Sequence, residues 1–127
     1  MIRLRNFLAC FFLLSMLPVS ASSYLPVRIG PASFYSPRFH GKCCTTSGEK
    51  INIYAMTAAH RSLPLGSYVR VTNTKNKRAV VVRINDRGPY YGGRIIDLST
   101  SAFKQIANTQ HGVIQVKLDL VSLPRKR

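Results

Sequence analysis

The stretch VVVRINDRGPYYGGRIIDLS, residues 80–99, decides how this chain folds. Val80, Val82 and Ile84 alternate with Val81 and Arg83, which is the period of a strand with one apolar face. Gly88 and Pro89 then turn the chain, and RIIDLS (94–99) reads as a second strand. Asp86 continues the parity of Val80, Val82 and Ile84, so its carboxylate emerges where the apolar face ends. The 127-residue chain has only four Asp and Glu residues, and this stretch holds two of them, Asp86 and Asp97.

Outward from that core the pattern continues. SYVRVTN (67–73) alternates, TKNK (74–77) turns the chain, and RAVVVRIND returns it as the second arm of a hairpin. ASFYS (32–36) reads as a short strand. YAMTAAH (54–60) reads as a strand or a helical turn, ended by RSLPLG. STSAFKQIA (99–107) sets Ala102, Phe103 and Ile106 at helical spacing behind an N-cap at Ser99 or Thr100. GVIQVKLDLV (112–121) closes as a strand with Ile114, Val116, Leu118 and Leu120 on one face. PRFHGKCCTTSGEK (37–50) is a loop longer than most in compact domains, and such loops often carry function. About six short strands and one small helix, without an internal repeat, predict an all-β domain. A closed barrel suits many short strands because it leaves few free edges. Pattern alone leaves the strand order open.

The first residues read differently. Arg3 and Arg5 precede an apolar run that ends in the small residues Val19, Ser20 and Ala21, the layout of a secretory signal peptide. The run is shorter than the roughly 20 residues a spanning helix needs. Leu8-Ala9-Cys10 has the look of a lipoprotein cleavage triplet, but the apolar run continues past it. The expected organisation is a signal peptide over 1–21, an extended lead-in over 22–31, a domain over 32–121 and a basic tail over 122–127. The product is expected to be exported, in the periplasm or secreted, with no membrane span after cleavage. Charge points the same way: 19 Lys and Arg against 4 acidic residues give +15. Loss of Arg3 and Arg5 leaves 17 against 4, a formal +13. Such a charge favours an anionic partner. For an exported protein that partner is the anionic cell envelope rather than nucleic acid.

With Cys10 in the leader, only Cys43 and Cys44 remain. Neighbours in sequence can form a vicinal disulfide, bond another chain or stay reduced. A zinc site with His40 would lack the four ligands that structural sites usually take, so no metal and no other cofactor is expected. A monomer is expected.

Each carboxylate can be weighed alone. Asp119 reads as a solvated strand residue beside Lys117. Asp97, two residues before Ser99, is expected to accept backbone N–H groups at the helix corner. Glu49 lies in the loop, either on the surface or folded over a site. Asp86 can form an Asx-turn or an ion pair with Arg87 or Arg83; alternatively, partial desolvation raises its proton affinity and makes it a proton donor near neutral pH. His60, directly before a turn, is a hydrogen-bonded strand-end residue or a catalytic one.

The segments ASFYS, FHG, SGE, TAAHRSLPLGSYVRVTN, VVVRINDRGPY and GRIIDLS occur in this order. Together they resemble the rare lipoprotein A (RlpA-like) family over Ala32–Val121. The resemblance implies a six-stranded double-psi β-barrel with one or two short helices. It also implies a lytic transglycosylase, a carbon–oxygen lyase that cleaves the MurNAc–GlcNAc bond of peptidoglycan glycan strands lacking stem peptides and leaves 1,6-anhydroMurNAc ends. It carries the family's essential Asp onto Asp86 (NDRGP), its essential His onto His60 (AHR) and its loop glutamate onto Glu49 as a supporting residue. Tyr35, Arg87 and Tyr90 are the expected substrate contacts, with Phe34 and Tyr91 as further aromatic flooring. The scarcity of acid agrees with this chemistry. A hydrolysing glycosidase generally needs two carboxylates. A lytic transglycosylase needs one acid/base group, because the C6 hydroxyl of the muramyl sugar attacks its own anomeric carbon. His60 is then expected to hydrogen-bond Asp86 or the substrate. Two other classes stay open: an expansin-like module that binds wall glycan without cleaving it, and an envelope protein cross-linked through Cys43 or Cys44. The loop GKCCTTSGE departs from the family pattern by its cysteine pair and one added residue.

Overall fold

A computed structural model describes residues 28–126. The signal peptide and most of the lead-in segment lie outside the described residues. Six strands form a closed barrel: β1 (Arg28–Phe34), β2 (Thr57–Ala59), β3 (Tyr68–Asn73), β4 (Ala79–Asp86), β5 (Ile96–Leu98) and β6 (Ile114–Ser122). Around the barrel they run β1-β5-β2-β4-β3-β6. Two contacts, β1 with β5 and β2 with β4, are parallel, and the others are antiparallel. One α-helix, α1 (Thr100–Ile106), follows β5, and Ser99 caps it by accepting the Ala102 N–H at 3.1 Å. Two 3-10 turns, Pro37–Phe39 and Thr109–His111, complete the elements of the described residues.

The hairpin of β3 and β4 follows the alternation of its residues, with Val69, Val71, Val82 and Ile84 fully buried. They pack with Ile96 and Leu98 of β5, Val116 of β6, and Phe103 and Ile106 of α1. The Phe34 and Phe103 rings meet at 4.6 Å, fastening the helix over one end of the barrel. β1 begins at Arg28, earlier than the alternation of ASFYS suggests. Pro31 sits inside it because the group used there is its carbonyl, which accepts the Ile95 N–H at 2.8 Å. Gly30 lets β1 pass against Ile95: a Cβ at Gly30 would lie 2.9 Å from Ile95 Cγ2.

The short strand β2 positions the site. It is strand over Thr57–Ala59 only, and all three residues are buried. It lies between β4 and β5, so Ala59 pairs with Asp86 on one side and with Asp97 on the other. The β2–β4 register slips at this point, passing from Ala58↔Ile84 to Ala59↔Asp86 and skipping Asn85. Such an irregularity re-aims the side chain that follows it. Asn85 is buried and Asp86 opens to a cleft beside the turn that begins at Arg87.

Candidate active site

Asp86 ends β4 half-buried and accepts four hydrogen bonds. Oδ1 takes the Thr46 N–H, the Thr46 hydroxyl and the Arg87 N–H, each at 2.9 Å. Oδ2 takes the hydroxyl of Tyr35, which follows β1. No ion pair with Arg83 or Arg87 forms; Arg83 is engaged by Glu49 instead. Burial pushes the carboxyl up, as the apolar parity predicts. The bonds from Tyr35, from the Thr46 and Arg87 N–H groups and from the Thr46 hydroxyl together outweigh it, and the group lies below the ordinary Asp value. The expected raised proton affinity is therefore not a property of the free chain. Tyr35 is not a free substrate contact either: it is committed to Asp86, and burial and that carboxylate push its phenol well above its usual range.

Thr46 reaches Asp86 from the long loop after β1, which is held on both sides of it. The Thr45 N–H donates to the Glu49 carbonyl at 2.8 Å and the Ser47 N–H to the Asn85 carbonyl at 3.0 Å. Glu49 does not touch Asp86. Its carboxylate takes both terminal nitrogens of Arg83, at 2.6 and 2.8 Å, and the Ser47 hydroxyl at 3.0 Å. That bidentate geometry pins the loop to β4, and chiefly the Arg83 hydrogen bonds hold Glu49 down to about 2. In the same loop Cys43 and Cys44 are joined as an exposed vicinal disulfide.

His60 is brought beside Asp86 by its backbone, not by its ring. The His60 N–H donates to the Asp86 carbonyl at 3.1 Å. Its Nδ1 accepts the N–H groups of Ser62 and Leu63 at 3.1 and 3.0 Å. A nitrogen that accepts carries no proton, so the ring is neutral with its hydrogen on Nε2. Burial, then the charges of Arg28, Arg87 and Arg61, push it down to about 4. The ring lines a small cavity with Arg28, Leu63 and Leu118, separate from the cleft at Asp86. Of the two partners expected for the His60 ring, Asp86 or the substrate, the Asp86 carboxylate receives no hydrogen bond from it. Arg87, expected at substrate, spends one guanidinium nitrogen on the His60 and Leu63 carbonyls, at 3.1 and 2.6 Å. Arg61 likewise braces the turn after β4 through the Pro89 and Arg94 carbonyls, at 2.6 and 3.0 Å. Gly88 makes that turn possible with φ at 116°, a conformation glycine adopts without steric cost.

The cleft at Asp86 holds about 420 Å³ and is lined by Tyr35, Phe39, Ala59 and Pro89, with Tyr90 and Tyr91 on its rim. Tyr90 and Tyr91 are 65% and 79% exposed and available to stack on a sugar ring. Asp97 lines it too, on the far side of Ala59. It does not serve the helix corner, where Ser99 does the capping. It accepts the Ser33 hydroxyl and pairs with Arg94 at 3.4 Å. The cleft thus contains two carboxylates, one more than the sequence reading assigned to it. Thr46 and Asp97 were missed because one lies in an aperiodic loop and the other was read by its nearness to Ser99. The only local signal for Thr46 is the length of that loop. Among the described residues no group of three or more His, Cys, Asp and Glu converges as a metal site, and no helix is long and apolar enough to cross a membrane.

The chain resembles known proteins in family pattern, in sequence and in fold. The pattern of a family described as lytic transglycolase matches residues 27–118. The endolytic peptidoglycan transglycosylase RlpA of Pseudomonas aeruginosa is 50% identical over 91 residues, covering 72% of this chain and 26% of that protein. The probable endolytic peptidoglycan transglycosylase RlpA of Synechocystis is 51% identical over 102 residues, covering 80% of this chain and 32% of that protein. The chain spans about a third or less of the length of these curated relatives. Among solved structures, a mutant Clavibacter michiganensis expansin in complex with cellohexaose superposes with a TM-score of 0.60 at 21% identity, covering 80% of this chain and 54% of that one. At that identity the likeness concerns the fold alone. Since the match runs from the residue before β1 into β6, and so takes in every strand of the barrel, the chain belongs to the double-psi β-barrel family of lytic transglycolases.

Proposed function

We propose that this chain is an endolytic lytic transglycosylase acting on peptide-free peptidoglycan glycan strands, exported and held at the anionic envelope by its positive charge. The observation that carries the reading is Asp86: a half-buried carboxylate lining a cleft with Tyr35, Tyr90 and Tyr91, in a chain 50% identical over 91 residues to a protein named for this activity. Glycan filling the cleft removes water and adds to burial, the influence that raises the carboxyl. A proton on Asp86 passes to the leaving glycosidic oxygen. The bond from the muramyl C1 to that oxygen breaks, the C6 hydroxyl bonds to C1, and its proton returns to Asp86. A 1,6-anhydro ring closes and no water is consumed. Glu49 acts by pinning the Thr46 loop through Arg83, and His60 by holding the turn behind Asp86.

One observation favours a second reading, a module that binds wall glycan without cleaving it: four donors hold Asp86 as the anion in the free chain. Asp86→Asn separates the two. Acid/base catalysis contributes roughly 10²–10⁴-fold, so the variant should lose at least 10²-fold in cleavage per folded molecule while binding glycan normally. Equal, undetectable cleavage by both proteins, with binding intact, would establish the module.

A further inference from the structure

We propose that Thr46 is a positioning residue for the proton transfer: its hydroxyl and N–H occupy Oδ1 of Asp86 and reserve Oδ2 as the oxygen that exchanges a proton with the glycan. The inference rests on the acid/base reading of Asp86. A carboxylate oxygen offers about two lone-pair sites. Oδ1 accepts three donors, two of them from Thr46, and has no place for a substrate proton. Among the described residues Oδ2 accepts the Tyr35 hydroxyl alone, which leaves it one site.

Thr46 is built to hold that position. Its side chain is exposed, yet the residues around it are anchored: Thr45 is buried, Ser47 is tied to the Asn85 carbonyl, and Glu49 is clamped by Arg83. Among the described residues its hydroxyl makes no other hydrogen bond, so the hydrogen bond lost on its removal is the one to Asp86. The titratable and charged groups around Asp86 are Tyr35 after β1, Arg87 beside it, Arg94 and Asp97 from the β5 side, and Tyr90 and Tyr91 on the rim. The His60 ring faces away. Of these neighbours only Tyr35 places a side-chain donor on the carboxylate, so Thr46 supplies the other half of its side-chain hydrogen bonding. Each such bond favours the anion, and so Thr46 also sets how readily Asp86 takes up the proton that the first step requires.

The test uses wild type, Thr46→Ala and Thr46→Ser. Thr46→Ala removes the hydroxyl and keeps the N–H; Thr46→Ser keeps both. Two quantities are read: the carbon-13 NMR titration of the Asp86 carboxyl in the free chain, and the pH profile of cleavage of peptide-free glycan. In Thr46→Ala the titration midpoint should rise by roughly one pH unit, the equivalent of one charge-assisted hydrogen bond. The pH at which cleavage falls off should rise with it, and Thr46→Ser should restore both. A titration unmoved in Thr46→Ala, or moved equally in Thr46→Ser, overturns the Thr46 inference while leaving an active wild type active. A shifted titration in a wild type that cleaves no glycan refutes the transglycosylase reading instead, and with it the reaction role of Thr46.

Discussion

Acid should loosen this domain at His60. In the fold Nδ1 accepts two backbone N–H groups, and a proton there would set donor against donor. Burial and three nearby arginines push the ring from 6.5 down to about 4. A depressed folded value means stability that is complete above the unfolded value and is lost as pH falls from about 6.5 toward 4. At pH 5 the unfolded chain carries the proton and the folded chain scarcely does. Linkage then gives a loss of about 2 kcal/mol relative to pH 7.5, and the limit below pH 4 is about 3 kcal/mol. Urea unfolding of wild type and His60→Asn at both pH values measures this. The asparagine oxygen can still accept the Ser62 and Leu63 N–H groups but does not titrate. His40 and His111 remain in both proteins, so the difference belongs to His60. Wild type should lose about 2 kcal/mol more than the variant on acidification. Equal pH dependence in the two proteins would mean that the ring is not held neutral by this turn, and the tautomer assigned here would be wrong.

Three further outcomes follow from single contacts. Glu49→Gln should reduce glycan cleavage by freeing the Thr46 loop, yet cost only about 1 kcal/mol or less in melting experiments, because the Arg83 pair is partly solvent-exposed; normal cleavage would remove Glu49 from the account. Cys43→Ser/Cys44→Ser should melt within roughly 2 kcal/mol of wild type, since adjacent cysteines close no chain loop, and a larger loss would reveal a structural role for the pair. Gly30→Ala should destabilise by about 1–3 kcal/mol through the 2.9 Å approach to Ile95, and an unchanged melt would show that Ile95 can turn away.

Much of the barrel is legible in local pattern. The hairpin of β3 and β4 alternates cleanly, and Ser99 with Ala102, Phe103 and Ile106 marks α1. What pattern could not supply is long-range. The parallel pairing of β1 with β5 joins residues more than sixty positions apart and leaves no periodic trace. The same holds for the site. The alternation of Val80, Val82 and Ile84 breaks at the register slip that skips Asn85, and beyond it Asp86 opens to the cleft, where burial raises it. The donors that reverse the outcome come from Tyr35 and Thr46, brought in by barrel closure and by a loop without periodicity. His60 was placed by resemblance next to Asp86, and its backbone is there; its ring orientation is decided by the Ser62–Leu63 turn, which composition does not encode. Asp97 was read from its distance along the chain to Ser99, whereas the strand order sets it across Ala59 from Asp86.

The end group left on the glycan separates lytic cleavage from hydrolysis. Peptide-free glycan strands digested with the purified chain should yield, by mass spectrometry, fragments ending in 1,6-anhydromuramic acid, and a folded Asp86→Asn protein should yield almost none. Fragments ending in reducing muramic acid would contradict the account: water would be the nucleophile, and Asp97, the second carboxylate in the cleft, would be the group to test next.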